Sequence, residues 1–364
     1  MKKVLLIDYY GICDKEGRAV GHSPKVLEEY RELVEDVYEV SVAASPCLIE
    51  GAGEQFCDKY RLKYNICSEG RMSLGKRIKD KFMLFSNINQ VLKIGGYDIY
   101  WFYKTDFFLF FYFCFHNMHK RKRSAIFMAQ IYQAGFDQGR LGKILNWFYR
   151  TGMMKFDGIM YAQKEMAGLH SNMLYFPDYY YDPKKYKKYE KCQKEEKVVC
   201  LGTMNTNKKL GELMDAFRCN GYPLEIRGYF YDKNFYQDLR KKLSQNVILE
   251  DKILTEEEYY TTLAGAKYTV LPYDMKQYQC RTSGVLIESL FLNTTAIAPK
   301  QLLLENQIDG IGYDRIEELK NPSIFKKPPV LHNSAVKKEF DREEIRRRLK
   351  EFISESAGRG EKWK

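Results

Sequence analysis

The sequence predicts an α/β protein with two similar domains, and three observations carry this prediction. The chain opens with a short apolar strand at residues 3–9, then a helix, then an alternating strand at residues 38–42, which is the unit that builds parallel sheets. The same strand-loop-helix order starts again at Val198. A length of 364 residues also suits about two domains.

The first half continues in this alternating order. Ser23 and Pro24 form an N-cap and first-turn pair, so a helix is expected over 24–36. Apolar periodicity then predicts helices at 76–94, 106–117 and 140–153, and strands at 97–102, 124–131, 157–162 and 173–176. We assign residues 1–177 to one domain.

A change in composition marks the boundary. Residues 178–197 interleave seven lysines with five tyrosines, and we interpret this segment as a solvated linker, with a strip that contacts a polyanion or a membrane as the alternative. A second domain follows over 198–335. Its predicted strands are 198–201, 224–227, 247–250, 268–271 and 295–298, and its helices include 233–243, one that follows a Thr255/Glu258 capping box and one that begins at Ser283. The terminal segment 336–364 contains a helix with one apolar face, and we consider that it crosses back to the first domain.

Composition limits the partners and the compartment. Lys and Arg outnumber Asp and Glu by 59 to 48, giving a net charge of +11, which fits an anionic partner but is equally typical of a lysine-rich surface. The nine cysteines are scattered, without a C-x-x-C pair or zinc spacing, so a reducing compartment fits best. The first apolar run stops at Asp8, too early for a signal peptide. We expect the protein in the cytoplasm.

The segment 281–288 carries the strongest functional signal. Ser283 is expected to cap a helix while Gly284 leaves room for close approach, so free backbone N–H groups would bind a phosphate. Arg281 can add a charge-assisted contact, and Glu288, further into the helix, can accept from a ribose diol. An ordinary capped helix with a surface glutamate is the alternative. No Gly-x-Gly-x-x-Gly and no Asp-x-Asp occurs anywhere in the chain, so a dinucleotide fingerprint and an aspartate-anchored metal site are unsupported.

A second cation belongs to the same predicted site. Lys208, or its neighbour Lys209, opens the first helix of the second domain after a turn at Gly202, at the sheet edge where open α/β folds bind ligands. With these residues the chain resembles the GT-B glycosyltransferases, particularly retaining family 4, also called glycosyl transferases group 1. Residues 201–210 look like the family's Gly-Arg…Lys-Gly segment, 226–228 like its strand-then-Gly element, 251–255 like its base-edging loop and 281–298 like its donor-binding helix and the next strand.

Two positions depart from the family pattern. The family's Arg after the first Gly is Thr203 here, and the first carboxylate of its Glu-x7-Glu pair is Cys280, so only Glu288 remains. Arg281 can supply the missing contact. These departures leave open a second function, in which the chain is a catalytically inactive GT-B-like partner or chaperone of another glycosyltransferase. Nucleic-acid binding has no recognised reader motif to support it.

The resemblance implies two facing Rossmann-like domains with parallel sheets and an interdomain cleft, the N-terminal domain holding the acceptor and the C-terminal domain the nucleotide-sugar. It implies a metal-independent, retaining hexosyl transfer from a UDP- or GDP-sugar to a glycan or lipid-linked acceptor, in bacterial surface polysaccharide or glycoconjugate synthesis. No cofactor is expected, because the nucleotide-sugar is a substrate. The implied donor-site residues are Gly202, Thr203, Lys208, Arg227, Ile253, Arg281, Thr282, Ser283, Gly284, Val285 and Glu288.

On the acceptor side the sequence offers two candidates. Gly11 lies in the loop after the first strand, and His22 lies beside the first helix cap. His22 is either a catalytic or sugar-contacting group or a plain loop histidine. The family often places a His after a middle strand of this domain, where Gln130 and Gln133 stand here, so we assign no general base.

One aromatic run has two interpretations with regard to a membrane. The run 107–115, followed by the basic stretch 119–123, is either a buried helix with a solvated basic loop or an interfacial patch that docks on anionic lipid. It is about half of the ~20 residues that a spanning helix needs. Peripheral contact with the inner face of the membrane, where a lipid-linked acceptor would lie, therefore stays an alternative to a purely cytoplasmic location.

Overall fold

The chain folds around two parallel β-sheets, each the centre of its own unit. Residues Met1–Asp178 together with Ile345–Lys364 form the first unit, and Tyr179–Glu344 form the second. The structure is a computed structural model. It describes residues 1–13, 17, 19, 23–50, 52, 54–67, 74–116, 122, 124–136, 139–276, 283–326 and 331–360.

The sheet of the first unit has central strands that are buried along their whole length, as in parallel sheets with both faces covered. Among the described residues its order is β4 (Lys59–Arg61), β3 (Tyr38–Ala44), β1 (Lys2–Asp8), β6 (Ile99–Phe102), β7 (Ile126–Ile131), β8 (Gly158–Tyr161) and β9 (Met173–Tyr175), all parallel. The two-residue strands β2 (Ile12–Cys13) and β5 (Ile66–Cys67) pair with each other.

The helices of the first unit follow the predicted order with shifted ends. They are α1 (Ser23–Val34), α2 (Pro46–Ile49), α3 (Leu74–Lys93), α4 (Phe107–Phe115) and α5 (Arg140–Met153), with a 3-10 turn at Lys164–Met166. The aromatic run is α4, which begins where the Asp106 carboxylate accepts from the amides of Phe108 and Leu109, at 3.1 and 3.2 Å. Most of this helix packs in the core, in agreement with the buried-helix interpretation; its buried residues are Leu109, Phe110, Tyr112 and Phe113.

The sheet of the second unit is also wholly parallel in its described part. Its order is β12 (Val247–Asp251), β11 (Leu224–Gly228), β10 (Glu195–Leu201), β13 (Ala266–Val270), β14 (Thr295–Pro299) and β15 (Ile311–Tyr313). The helices are α6 (Pro183–Tyr186), α7 (Leu210–Asn220), α8 (Lys233–Arg240), α9 (Glu256–Gly265), α10 (Gly284–Phe291), α11 (Lys300–Asn306), α12 (Ser323–Lys326) and α13 (Ser334–Glu339), with 3-10 turns at Lys187–Tyr189 and Ile316–Lys320.

The terminal helix α14 (Arg342–Gly360) belongs to the first unit from Ile345 onward. Its apolar face is buried at Ile345, Leu349, Phe352 and Ile353. The Arg346 guanidinium donates to the carbonyls of Glu32 and Leu33, both at 3.1 Å. These are carbonyls of the last turn of α1, which a helix leaves without an internal partner, so α14 caps α1.

The segment 178–197 differs from the solvated linker that its lysines suggested. Asp178 ends the first unit, and the residues after it fold with the second. The rings of Tyr186 and Tyr189 are buried and pack on Tyr260 of α9, with centroids 5.2 and 5.6 Å away. The alternation of the two residue types has a simple cause: the tyrosines face the core, while lysines such as Lys187 face water.

Both sheets have the same strand order, which places their ligand-binding edges. Counting strands along the chain and leaving out the separate pair β2 and β5, each sheet runs 3-2-1-4-5-6, with β9 added at the end of the first. In such sheets ligands bind beyond the carboxyl ends of the strands, where the order reverses. This point lies between β1 and β6 in the first unit and between β10 and β13 in the second. No helix in the described part of the chain is both long and apolar enough to span a bilayer.

Candidate functional site

The loops after β10 and β13 are joined at the reversal point of the second sheet. The amide of Lys209 donates to the Pro272 carbonyl at 2.8 Å, and Lys208 and Tyr273 form an antiparallel bridge. The Tyr273 hydroxyl in turn lies 3.1 Å from Ser283 Oγ. Through Tyr273, these contacts connect the backbone at Lys208 to the amino end of α10.

The turn at Gly202 packs closely against its neighbours. Its φ of +95° lies in the left-handed region that favours glycine. A Cβ on Gly228, at the end of β11, would lie 1.7 Å from the Gly202 carbonyl oxygen. A Cβ on Gly202 would lie 3.8 Å from Val285. The backbone after β10 therefore lies against the first turn of α10.

The amino end of α10 offers free donors. Ser283 is the N-cap, and its buried hydroxyl accepts from the Leu286 amide at 3.3 Å. Within the described residues, the N–H groups of Gly284 and Val285 have no hydrogen-bond acceptor. Helix amino ends with such free N–H groups bind phosphates, because the donors and the helix dipole act together.

Lys208 supplies a buried positive charge at the same reversal point. Its Nζ donates to the Leu201 carbonyl at 3.1 Å and lies 5.7 Å from the Tyr273 ring centroid. No carboxylate among the described residues pairs with it. Burial lowers the pKa of Lys208, because a desolvated ammonium without a counter-ion is unfavourable. An anionic ligand would relieve that cost.

Gly284 has a different neighbour from the one expected. A Cβ at this position would lie 2.6 Å from the hydroxyl oxygen of Tyr179, so the missing side chain makes room for a tyrosine rather than for an anion. Tyr179 is half-buried at the start of the second unit. Sequence reasoning missed it, since nothing local connects residue 179 to α10.

Glu288 is buried rather than on the surface. Its two carboxylate oxygens accept from the hydroxyls of Tyr259, at 2.7 Å, and Tyr260, at 2.8 Å. Glu288 was predicted to accept hydrogen bonds from the two hydroxyls of a ribose, but here it accepts them from two tyrosines of the protein itself. A carboxylate has about four acceptor positions, so the role of Glu288 toward a ribose stays a prediction. Together with this carboxylate, burial raises the pKa of Tyr259 well above its ordinary value.

The other donor-site predictions fall in different surroundings. Arg227 contacts two carboxylates, those of Glu225 at 3.2 Å and Glu250 at 3.4 Å, so its charge is matched within the sheet instead of free for a phosphate. Thr203 is exposed in the turn after Gly202. Ile253 is 74% exposed after β12, in a loop suited to cover an apolar ring. Arg281 and Thr282 lie outside the described residues.

Of the two acceptor-side candidates, Gly11 lies near the reversal point of the first sheet, just after β1. Gly11 donates its N–H to the buried Asp8 carboxylate at 2.9 Å. A Cβ on Gly11 would lie 1.5 Å from Ser45 Oγ, which accounts for this glycine by packing alone. His22 lies outside the described residues. Asp8 also accepts from the Tyr103 hydroxyl at 2.8 Å, which ties the ends of β1 and β6 together.

Sequence reasoning also missed Asp178, a carboxyl that follows the last strand of the first unit. It accepts from the Gln130 side-chain amide at 3.0 Å and from the Tyr132 hydroxyl at 3.2 Å. Burial raises the pKa of Asp178 to about 7, and the nearby Glu29 acts in the same direction. A carboxyl that titrates near neutral pH can give or take a proton. The only available signal was an acidic residue directly after a predicted strand.

Comparisons with known proteins were made by sequence and by structure. The sequence matches no protein-family model and no curated protein. Three solved structures are similar over nearly the whole of both chains. They are AviGT4, a glycosyltransferase involved in avilamycin A biosynthesis (TM-score 0.57, 12% identity, 98% of this chain and 99% of that one), Anabaena Alr3699/HepE in complex with UDP (0.62, 11%, 97% and 99%), and the trehalose-6-phosphate synthase OtsA (0.62, 9%, 98% and 99%).

Identities this low establish the fold alone. All three proteins have the GT-B fold, and this chain shares it: an α/β architecture of two Rossmann-like units with parallel sheets. The fold class predicted from the sequence is confirmed.

Proposed function

We propose that this protein is a glycosyltransferase of the retaining family 4 type, which moves a hexosyl group from a nucleoside-diphosphate donor to an acceptor hydroxyl. One observation carries the proposal. At the reversal point of the second sheet, a buried Lys208 without a carboxylate partner in the described chain is connected through Tyr273 to the free amino end of α10. A diphosphate satisfies both groups at once.

The same geometry suits the chemistry of the leaving group. As the bond from the sugar to the diphosphate breaks, negative charge grows on the phosphate oxygens. The Lys208 ammonium and the amides of Gly284 and Val285 would stabilise that charge without having to reorganise. We propose that this stabilisation is metal-independent.

The nucleotide is proposed from the site and from the fold. Ile253 exposes an apolar side chain in the loop after β12, which the base of a nucleotide can cover. HepE, which shares the fold, was solved with UDP, and this supports a UDP-sugar as the first donor to test, with GDP-sugars next. Glu288, held by two tyrosines, is the proposed ribose contact.

We propose that the acceptor is a glycan or a lipid-linked sugar, in bacterial surface polysaccharide or glycoconjugate synthesis, with the protein in the cytoplasm at the inner face of the membrane. Two features support this. The nine cysteines are scattered, which fits a reducing compartment, and the first unit has a carboxyl, Asp178, able to receive a hydroxyl proton near neutral pH.

The test is donor binding followed by turnover. Thermal unfolding of the full chain is measured with UDP, GDP, ADP and CMP, and then released diphosphate is measured with a panel of nucleotide-sugars. A rise of several degrees with one diphosphate, lost in Lys208→Met and kept in the exposed neighbour Lys209→Met, supports the proposal. No shift with any nucleotide would contradict it and would favour the inactive partner or chaperone.

A further inference from the structure

Helix α5 presents large apolar side chains to water. Leu141 is 70% exposed, Ile144 55% and Trp147 61%. They lie three residues apart, so successive side chains fall near one side of the helix. Burying such side chains is normally worth about 1.5–3 kcal/mol each, so a row of them left in water indicates a surface that another phase or molecule covers.

The packing of α5 on its inner side keeps these three apolar side chains facing water. A Cβ on Gly152 would lie 2.0 Å from the Phe110 carbonyl of α4, so the two helices touch backbone to backbone on that side. Tyr149 and Met153 are buried on the same inner face. Because this face is held against α4, Leu141, Ile144 and Trp147 cannot turn into the core.

The end of α4 extends the apolar surface. Phe115 is 65% exposed, and its ring lies 6.1 Å from that of Phe148, which in turn packs on Trp147 at 4.8 Å. Leu141, Ile144, Trp147, Phe148 and Phe115 therefore form one apolar surface, here called the α5 surface.

The charged residues on α5 itself have one sign. Arg140, Lys143 and Arg150 are exposed on the helix, and the segment 140–156 contains no Asp or Glu. A helix that exposes apolar side chains with Trp among them, and whose own charged residues are all cations, is typical of helices that lie in the interface of an anionic bilayer.

We propose that the α5 surface docks this protein on an anionic lipid bilayer. A second copy of the chain fits less well, because a two-fold contact through this surface would bring the cations of one α5, Arg140, Lys143 and Arg150, near those of the other α5 with no acidic residue on either helix to offset them. The docking is peripheral: α5 has 14 residues, fewer than the ~20 needed to span. The run 107–115 contributes only its exposed end, since most of α4 lies in the core. The proposal goes beyond the transfer reaction and does not depend on it.

The test uses the full chain and vesicles of equal parts phosphatidylglycerol and phosphatidylcholine, compared with phosphatidylcholine alone. We expect the wild type to float with the anionic vesicles, and the triple variant Leu141→Ser/Ile144→Ser/Trp147→Ser to bind at least about tenfold more weakly. The matched control is Leu304→Ser, which changes an equally exposed apolar residue of the second unit and should bind as the wild type does.

A second readout places the surface in the lipid. Of the three tryptophans, Trp101 is buried and Trp147 exposed. Brominated lipid should quench the tryptophan fluorescence of the wild type. In Trp147→Phe this quenching should largely vanish, while the protein still floats with the anionic vesicles. Circular dichroism and thermal unfolding without ligand check that the variants are folded.

Three results would overturn the docking proposal. They are equal flotation of wild type and triple variant, absence of wild-type binding to anionic vesicles, and a wild-type dimer in solution that the triple variant abolishes. The last result would assign the α5 surface to a second copy. Failure of nucleotide binding alone would instead contradict the proposed transferase and leave the lipid result standing.

Discussion

Replacing Lys208 with methionine tests whether this lysine binds a ligand or only supports the fold. Methionine fills a similar volume beside Met204, whose sulfur already lies 3.6 Å from Nζ, so the packing changes little. The substitution removes only the ammonium. If that charge serves a ligand, its loss should harm binding without harming the fold.

The magnitudes follow from the contacts of Lys208. A charge-assisted hydrogen bond contributes about 1.5–3 kcal/mol, so the variant should bind UDP about 10- to 150-fold more weakly. Folding loses one bond from the ammonium to the Leu201 carbonyl, which is also charge-assisted and worth about 1.5–3 kcal/mol. It gains the relief of a buried charge that has no carboxylate partner in the described chain, a penalty of several kcal/mol. The free energy of unfolding should therefore stay equal or rise by about 1 kcal/mol.

Titration calorimetry with UDP and urea denaturation measure the two quantities. Lys209→Met, an exposed neighbour, is the control and should change neither. If Lys208→Met unfolds more easily yet binds UDP as the wild type does, Lys208 is a structural residue and does not bind the diphosphate.

Three further predictions concern packing and pH. Gly228→Ala places a Cβ 1.7 Å from the Gly202 carbonyl oxygen, and urea denaturation should show a loss of about 1–3 kcal/mol; a loss below about 0.5 kcal/mol would contradict the close contact. Burial lowers the pKa of Lys208, so its ammonium loses its proton below the pH of about 10.4 at which an ordinary lysine titrates. The UDP affinity measured by calorimetry should therefore fall as the pH rises toward that value. In Lys208→Met, this decrease in affinity should be absent. For Asp178, whose pKa burial raises to about 7, the folded state holds a proton that the unfolded state has lost above about pH 4. The free energy of unfolding, measured by urea denaturation, should thus decline from about pH 4 to about pH 7, and it should decline more steeply in the wild type than in Asp178→Asn. If the free energy changes equally with pH in both proteins, the raised pKa of Asp178 is contradicted.

The fold was predictable because its signals are local. Apolar strands followed by capped helices repeat in both halves, and the N-cap at Ser283 is where the sequence placed it. Short edge strands such as β4 and β15 were missed, since three residues carry too little periodicity. The interpretation of residues 178–197 as a solvated linker failed because alternating tyrosines and lysines fit a half-buried segment as well as an exposed one.

The site was predictable only where one segment forms it. The turn at Gly202 and the start of α10 each have a local pattern, and the sheet order brings them together. Glu288 and Arg227 have partners on other elements, Tyr259 and Tyr260 on α9 and Glu250 on β12. No spacing along the chain reveals such partners. Asp178 owes its raised pKa to burial by distant residues, which the sequence alone does not show.

Amide NMR of the 15N-labelled protein during a UDP titration observes the proposed phosphate site itself. If the amino end of α10 holds the diphosphate, the Gly284 and Val285 resonances should shift and saturate with the dissociation constant found by calorimetry. In Lys208→Met, the dissociation constants from NMR and from calorimetry should rise together. Saturating UDP that leaves these two amides unmoved would show that the amino end of α10 does not hold the diphosphate.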